Sequence, residues 1–324
     1  MSDQNIGLFA LLIMLVMILI RVPIAISMLI TGVAGNIYLQ GFEAGLVQFQ
    51  LLSWEIATNF ILIALPLFIW MGQLGYSSGI GKDLYSCFHK WFGHRPGGLA
   101  VSSVVSTASF GAITGSSVAT VMTMGKMLMP EMKRYRYANS LASGSLASAG
   151  VLAILIPPSI PLVFYGVWTE SSIGDLFIAG IIPGLLLTLM FSVFIWGYCH
   201  FKPSLGPSGE KYPFQEKLSS LLNLLPALSV MILVLGSIYG GIATTSEAAA
   251  VGVAGMLLVA LAKKRLNRRV LRESIGESSK LSSNIFLLLL GGGIFSRFLV
   301  QTDLTEMWIQ SISGLGLSPY LVSL

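Results

Sequence analysis

FGAITGSSVATVMTMG, Phe110 to Gly125, is apolar enough to enter a membrane, yet glycines and hydroxyl side chains punctuate it, with Gly115, Ser116 and Ser117 consecutive at its centre. Glycine is among the weakest helix formers. A segment at membrane depth must satisfy its own backbone hydrogen bonds. A helix broken at that place therefore needs a reason, and the rest of the chain supplies one.

Of the 324 residues, 54% are hydrophobic and 10% charged, and the mean hydropathy is +0.81. Soluble domains carry about 25% charged residues. Uncharged apolar runs recur from end to end, which predicts an all-α polytopic membrane protein. A large soluble helical core would need polar faces on its surface helices. The N-terminal MSDQNIGLFALLIMLVMILI has Asp3 where a signal peptide has basic residues, and no small-residue cleavage site. It reads as a retained helix.

Cys87 and Cys199 have neither CxxC nor metal-ligand spacing. His89, His94 and His200 stand beside basic or aromatic residues at predicted helix ends and read as interfacial. There is no HExxH, and no two histidines share a helical face within a span, so an intramembrane enzyme is excluded. The excess of basic residues reflects loop placement and does not signal nucleic acid.

Lys and Arg mark cytoplasmic loops. The clearest cluster is KKRLNRRVLR, Lys263 to Arg272; KMLMPEMKRYR (Lys126 to Arg136), the stretch from Lys202 to Lys217, and the group Lys82, Lys90 and Arg95 follow. Connections without Lys or Arg at 35–55, 167–175 and 237–246 are placed outside. Alternating spans result: 7–38 outward, 56–77 inward, 140–166 outward, 175–199 inward, 219–238 outward, 247–262 inward and 282–300 outward, with a cytoplasmic N-terminus.

One segment does not alternate. Arg95 and Lys126 are both cytoplasmic by charge, and the apolar stretch between them is too short for two spans of about 20 residues each. Residues 96–130 are therefore predicted to form a re-entrant hairpin. Its tip is tolerated only where buried in protein or lining a wet cavity. Gly111 and Gly115 permit the turn; Thr114, Ser116 and Ser117 offer hydroxyls to freed backbone groups or to an ion.

A second break lies at AILIPPSIP, Ala153 to Pro161. Pro157 and Pro158 lack amide donors, and Pro158 pushes Pro157 out of helical geometry. The helix 140–166 must unwind there, leaving carbonyls near Ala153 and Ile154 without helical partners. Upstream, SLASGSLASAG (Ser140 to Gly150, including Ser148) is again small and hydroxylic. A broken helix facing a hairpin tip is a common construction of a midplane site: carbonyls suit Na⁺ and helix N-termini suit an anion. Pro158 and Ser159 belong to that neighbourhood.

Self-comparison at an offset of 220 aligns Gly32-Val33-Ala34-Gly35 with Gly252-Val253-Ala254-Gly255, Gly72 with Gly292, and Asp83-Leu84 with Asp303-Leu304. The equivalent spans run in opposite directions, which predicts an inverted repeat. Gly81 to Gly93 (GKDLYSCFHKWFG) reads as an interfacial helix, with Leu84, Phe88, Trp91 and Phe92 near one face. Its counterpart is Thr302 to Gly314. A second hairpin would begin near Ser318, and a full second repeat would carry the chain to about residue 420. The second repeat is therefore expected to be incomplete, the sequence being cut before that hairpin.

FGAITGSSVATVMTMG, SLASAGVLAILIPPSIPLVFYG (Ser145 to Gly166) and TTSEAAAVGVAG (Thr244 to Gly255) together resemble the large permease subunit of tripartite ATP-independent periplasmic (TRAP) transporters. The resemblance covers the whole chain. It implies an elevator-type, Na⁺-driven importer of organic acids, of the C4-dicarboxylate or sialic acid class, in a bacterial inner membrane. A periplasmic substrate-binding protein would deliver the solute, and a small membrane subunit would complete the complex. It further implies Na⁺ held at Gly111, Thr114, Ala153, Ile156 and Pro157. Gly111 stands where serine is usual in the family, Ala153 where glycine is usual, and Thr245 where proline is usual.

The expected organisation is a scaffold with an interfacial arm helix over 1–95, a first transport half over 96–200, a cytoplasmic linker over 201–218, and the start of the second repeat over 219–324. Two other functions compete with partner-fed import: a stand-alone Na⁺/anion symporter, and a truncated subunit that does not transport. No acid lies deep within a span to favour proton coupling. Glu247, which starts a span, reads as a helix-terminal acid.

Overall fold

The computed structural model describes residues 2–313, and all regular structure among them is helical. The chain divides into two compact units, residues 1–59 with 280 onward, and residues 60–279.

The smaller unit holds α1 (Asp3–Leu19), α2 (Ile24–Gln40), α3 (Phe42–Thr58), the later part of α14 (Arg268–Gln301) and α15 (Leu304–Ser313). The single span expected over 7–38 is thus two helices. Pro23 has no amide proton and disfavours helix at Val22, and Arg21 takes a left-handed φ of 70°. Ile6, near the start of α1, and Leu39, near the end of α2, pack on one cluster with Ala10, Phe295 and Phe298. The two helices therefore run antiparallel.

The GVAG run of α2 forms the flat face on which α14 lies. A Cβ on Gly32 would stand 2.7 Å from the Phe295 nitrogen, and one on Gly35 would meet the Phe298 ring. Asn36 Nδ2 donates to the carbonyls of Gly32 (2.8 Å) and Ile294 (3.3 Å).

The larger unit opens with a 3₁₀ turn, Phe60–Ile63, and runs through α4 (Ala64–Ser77), α5 (Ile80–Phe92), α6 (Gly98–Thr114), α7 (Ser117–Arg134), α8 (Asn139–Leu155), α9 (Ile160–Trp168), α10 (Ile173–Phe201), α11 (Phe214–Leu222), α12 (Leu225–Tyr239), α13 (Thr245–Ala262) and the beginning of α14. Among the described residues, Phe60–Ser77, α10, α13 and α14 are long and apolar enough to cross a membrane. The pairs α8–α9 and α11–α12 are bent by 41° and 46°. The protein is a multi-pass membrane protein.

Local sequence accounts for these boundaries. Gly79 and Gly97 take left-handed φ values of 72° and 75° ahead of α5 and α6. Thr244 and Glu247 form a reciprocal capping box at the start of α13, which gives Glu247 the helix-terminal role expected of it. The 220-residue offset also relates the packing inside each unit. In one, α2 lies on α14; in the other, the equivalent α13 lies on the equivalent α4, where a Cβ on Gly252 would stand 2.5 Å from Met71 Sδ.

Helix α5 forms as expected, but its buried stripe is Leu84, Tyr85, Cys87 and His89, while Phe92 is exposed. The reason is its packing against protein: Ser102 Oγ donates to the Phe88 carbonyl (3.0 Å) and Trp91 Nε1 to that of Lys217 (3.1 Å). His89, read as interfacial, is buried among Tyr85, Tyr135 and Tyr212.

The stretch expected as a linker is stitched to the hairpin base. The Gly97 amide donates to Gly206, Gly209 to Gly93 and Ala138 to Leu205, at 2.8, 2.8 and 2.9 Å. The second hairpin expected from Ser318 lies outside the described residues.

Asp83 is the electrostatic node of this end. Arg265 meets both its carboxylate oxygens, at 2.8 and 3.0 Å, and also donates to the carbonyls of Ser78 and Gly79. Lys263 binds the same carboxylate. Burial alone would raise the Asp83 pKa, but the hydrogen bonds and charges of Arg265 and Lys263 outweigh it and hold it below the ordinary value.

Candidate functional site

The stretch quoted at the outset is the C-terminal end of α6, a two-residue turn, and α7. Every residue of α6 except Val105 and Ser109 is buried, so small side chains there serve close approach. A Cβ on Gly111 would stand 2.5 Å from the Cβ of Ala153 on α8. Gly115 ends α6 at φ 61°, its amide donating to Gly111 (2.7 Å). Ser116 then caps α7, its hydroxyl accepting from the Ala119 amide at 3.4 Å.

The tip docks on the break between α8 and α9. The Ile160 amide, at the first residue of α9, donates to the Gly115 carbonyl at 3.1 Å. A Cβ on Gly115 would lie 2.9 Å from the Pro158 carbonyl oxygen. From α4, Gly72 lies against the Thr114 backbone and Gly75 against Ile113. Of the carbonyls expected to lose their helical partners, that of Ile154 accepts from Ser159 Oγ at 2.6 Å.

Four helix ends converge here: the C-termini of α6 and α8, and the N-termini of α7 and α9. Carbonyl ends carry partial negative charge and suit a cation; amide ends carry partial positive charge and suit an anion. Neither Phe110 to Val121 nor Gly150 to Leu162 contains an Asp, Glu, His, Lys or Arg. The arrangement can therefore neutralise a small cation and a carboxylate side by side with dipoles and hydroxyls alone.

The structure brings together Gly111 with Ala153, Gly115 with Pro158, and Gly150 with Ser117 and Val121. Pro157 is buried at the break, whereas the Ile156 side chain turns toward Gly184 of α10 and leaves only its backbone for the site. Ser116 and Ser159 are employed as helix caps. Ser148 is half-buried on α8.

One residue escaped the sequence reading. Thr120, wholly buried on α7, sets its Oγ1 2.6 Å from Thr114 Oγ1. The signal was a hydroxyl four residues beyond the cap Ser116, on the turn of α7 that folds back over the end of α6.

The family model for the tripartite ATP-independent periplasmic transporter, DctM component, matches residues 11–324. Among curated relatives, the chain is 34% identical over 268 residues to the C4-dicarboxylate TRAP transporter large permease protein DctM of Pseudomonas aeruginosa, covering 82% of this chain and 62% of that protein. It is 31% identical to the protein of the same description from Vibrio cholerae, covering 94% and 71%. It is 30% identical to the 2,3-diketo-L-gulonate TRAP transporter large permease protein YiaN of Escherichia coli, again covering 94% and 71%. The chain thus spans about three-fifths to seven-tenths of their length. These relatives are transport permeases and not enzymes. With its paired breaks, its buried hydroxylic tip and this extent of similarity, the chain belongs to the DctM component family of tripartite ATP-independent periplasmic transporters.

Proposed function

We propose that this chain is permease sequence of a Na⁺-coupled, binding-protein-dependent importer of organic acids in a bacterial inner membrane. The observation that carries this reading is the docking of the Gly115 carbonyl on the Ile160 amide. It gathers four helix ends around Thr114 with no ionisable side chain in either segment. A hard monovalent cation suits such a donor set: the carbonyls of Gly111, Ala153, Ile156 and Pro157 and the Thr114 hydroxyl would hold it. A solute carboxylate would meet the N-termini of α7 and α9 beside the ion, near Ser117. Na⁺ supplies positive charge and rigidity at the tip; the hairpin and broken helix would then carry both ligands across as one body.

Relatives named for C4-dicarboxylate and 2,3-diketo-L-gulonate transport favour an organic acid; a sialic acid is the other solute class proposed, on the sequence resemblance alone. A small membrane subunit and a periplasmic binding protein are the expected partners. The N-terminus, expected on the cytoplasmic side, is proposed instead on the outer side. Splitting the first span reverses the direction of α1, and a Cβ on Gly7 would touch Thr302, at the outward end of α14.

The test is uptake of labelled C4-dicarboxylate and sialic acid into proteoliposomes holding the full-length permease, with and without its partners. Import that needs both the binding protein and a Na⁺ gradient supports the proposal. Uptake by the permease alone would instead establish a self-sufficient symporter. No uptake with all components present would leave a non-transporting subunit.

A further inference from the structure

We infer that Thr120 supplies a second side-chain oxygen to the cation at the hairpin tip, beside Thr114; this rests on the Na⁺ reading above. The hydroxyls around the tip divide into two groups. Ser116 and Ser159 are committed as caps of α7 and α9, and Ser159 also bonds the Ile154 carbonyl. Gly111 offers no side chain, because Ala153 occupies the space a Cβ would need. Ser117, half-buried, faces Gly150. Thr114 and Thr120 remain, both buried, with oxygens 2.6 Å apart.

Their protons and lone pairs can be counted. Thr114 Oγ1 lies 3.4 Å from the Gly111 carbonyl. Either threonine can donate to the other; in the arrangement where Thr120 donates to Thr114, the lone pairs of Thr120 are free to accept. A buried hydroxyl in that state is a ligand waiting for a positive partner. Its position on α7 matters equally. Thr114 belongs to the first arm of the hairpin and Thr120 to the second, so a cation bound by both oxygens ties the arms together. The pair would make closure of the tip depend on the ion. With two hydroxyls, several carbonyls and no carboxylate, the shell is neutral and favours a monovalent over a divalent ion.

The experiment uses the purified full-length permease and follows its thermal unfolding midpoint against NaCl, with choline chloride holding ionic strength constant and KCl as a control. A ligand that binds only the folded state raises the midpoint in a saturable way. Wild type is expected to show Na⁺-specific stabilisation. Thr120→Val is expected to raise the half-saturating Na⁺ concentration about tenfold or more, and Thr120→Ser to stay within about threefold of wild type. A Thr120→Val protein with a lower midpoint in choline but an unchanged half-saturating concentration would overturn the inference and make Thr120 purely structural. Thr120→Ser behaving like Thr120→Val would overturn it too, since the methyl and not the oxygen would then matter. Absence of Na⁺-specific stabilisation in wild type, with Thr114→Val and Thr120→Val alike, would remove the cation reading and this inference with it.

Discussion

Gly111 and Ala153 face each other so closely that a Cβ on the glycine would lie 2.5 Å from that of the alanine. The Ala153 Cα would lie only 2.7 Å from it as well, so the α6–α8 crossing leaves no room for a side chain at Gly111. Gly111→Ser alone is expected to lower stability by about 1–3 kcal/mol through overpacking. Gly111→Ser with Ala153→Gly should recover only the part due to the Ala153 methyl, because the Ala153 Cα, 2.7 Å from the new Cβ, stays in place; a double-mutant cycle on thermal unfolding should show coupling of about 1 kcal/mol. Strictly additive losses would mean the two residues do not share the space.

Gly115→Ala combines two penalties, a left-handed φ of 61° and a methyl 2.9 Å from the Pro158 oxygen. The substitution is expected to cost more than the roughly 1 kcal/mol of the backbone term alone, because the tip must lift from the break. Gly241, at φ 66° with nothing near its Cβ, supplies the control. If the two alanine variants unfold at the same temperature, the contact with Pro158 carries no weight.

Asp83→Asn leaves Lys263 and Arg265 facing one another at the end of α13. The loss should be about 1–3 kcal/mol, moderated because the three side chains are 15–38% exposed. Since the folded pKa of Asp83 is depressed, its contribution is present above the ordinary value of 3.8 and is lost as pH falls through the folded value. The Asn variant should lack that acid limb in a stability profile taken below pH 4.

His89 acts in a different pH window. Burial lowers its pKa, and Glu131 and Glu210 oppose that only in part. Tyr85 of α5, Tyr135 just after α7 and Tyr212 of the linker, over whose ring Lys90 sits, complete its surroundings. The folded state resists a proton that the unfolded chain accepts near 6.5, so stability should fall as pH drops below that value and level off once the folded value is passed. One proton gives at most about 1.4 kcal/mol per pH unit. His89→Gln should flatten the thermal-stability profile between pH 7 and 5; an unaltered slope would assign it to other groups.

Topology offers a direct check. A cysteine at Ser2 of the full-length protein should react with a membrane-impermeant maleimide from the outer side of intact cells. The native Cys87 and Cys199 are buried. Labelling only after permeabilisation would restore the cytoplasmic N-terminus and mean that α1 and α2 do not both cross.

Much of this protein is legible in its sequence because the bilayer reduces the question. Hydropathy and a few prolines and glycines are enough to place the spans, the hairpin turn at Gly115 and the break at Pro157–Pro158, since each follows from backbone hydrogen bonding over a handful of neighbouring residues. The split at Arg21–Pro23 was equally local, but it lay inside an apolar run, where hydropathy alone cannot distinguish one span from a hairpin of two helices. Tertiary structure decided the rest. That Ser116 and Ser159 are spent as caps, that Gly111 is matched to Ala153, that α5 buries His89 in place of Phe92, and that Thr120 reaches Thr114 all depend on which faces meet. Periodicity shows that a helix has a small or polar face; only packing fixes what stands opposite it, because close approach is a property of two surfaces and not of one.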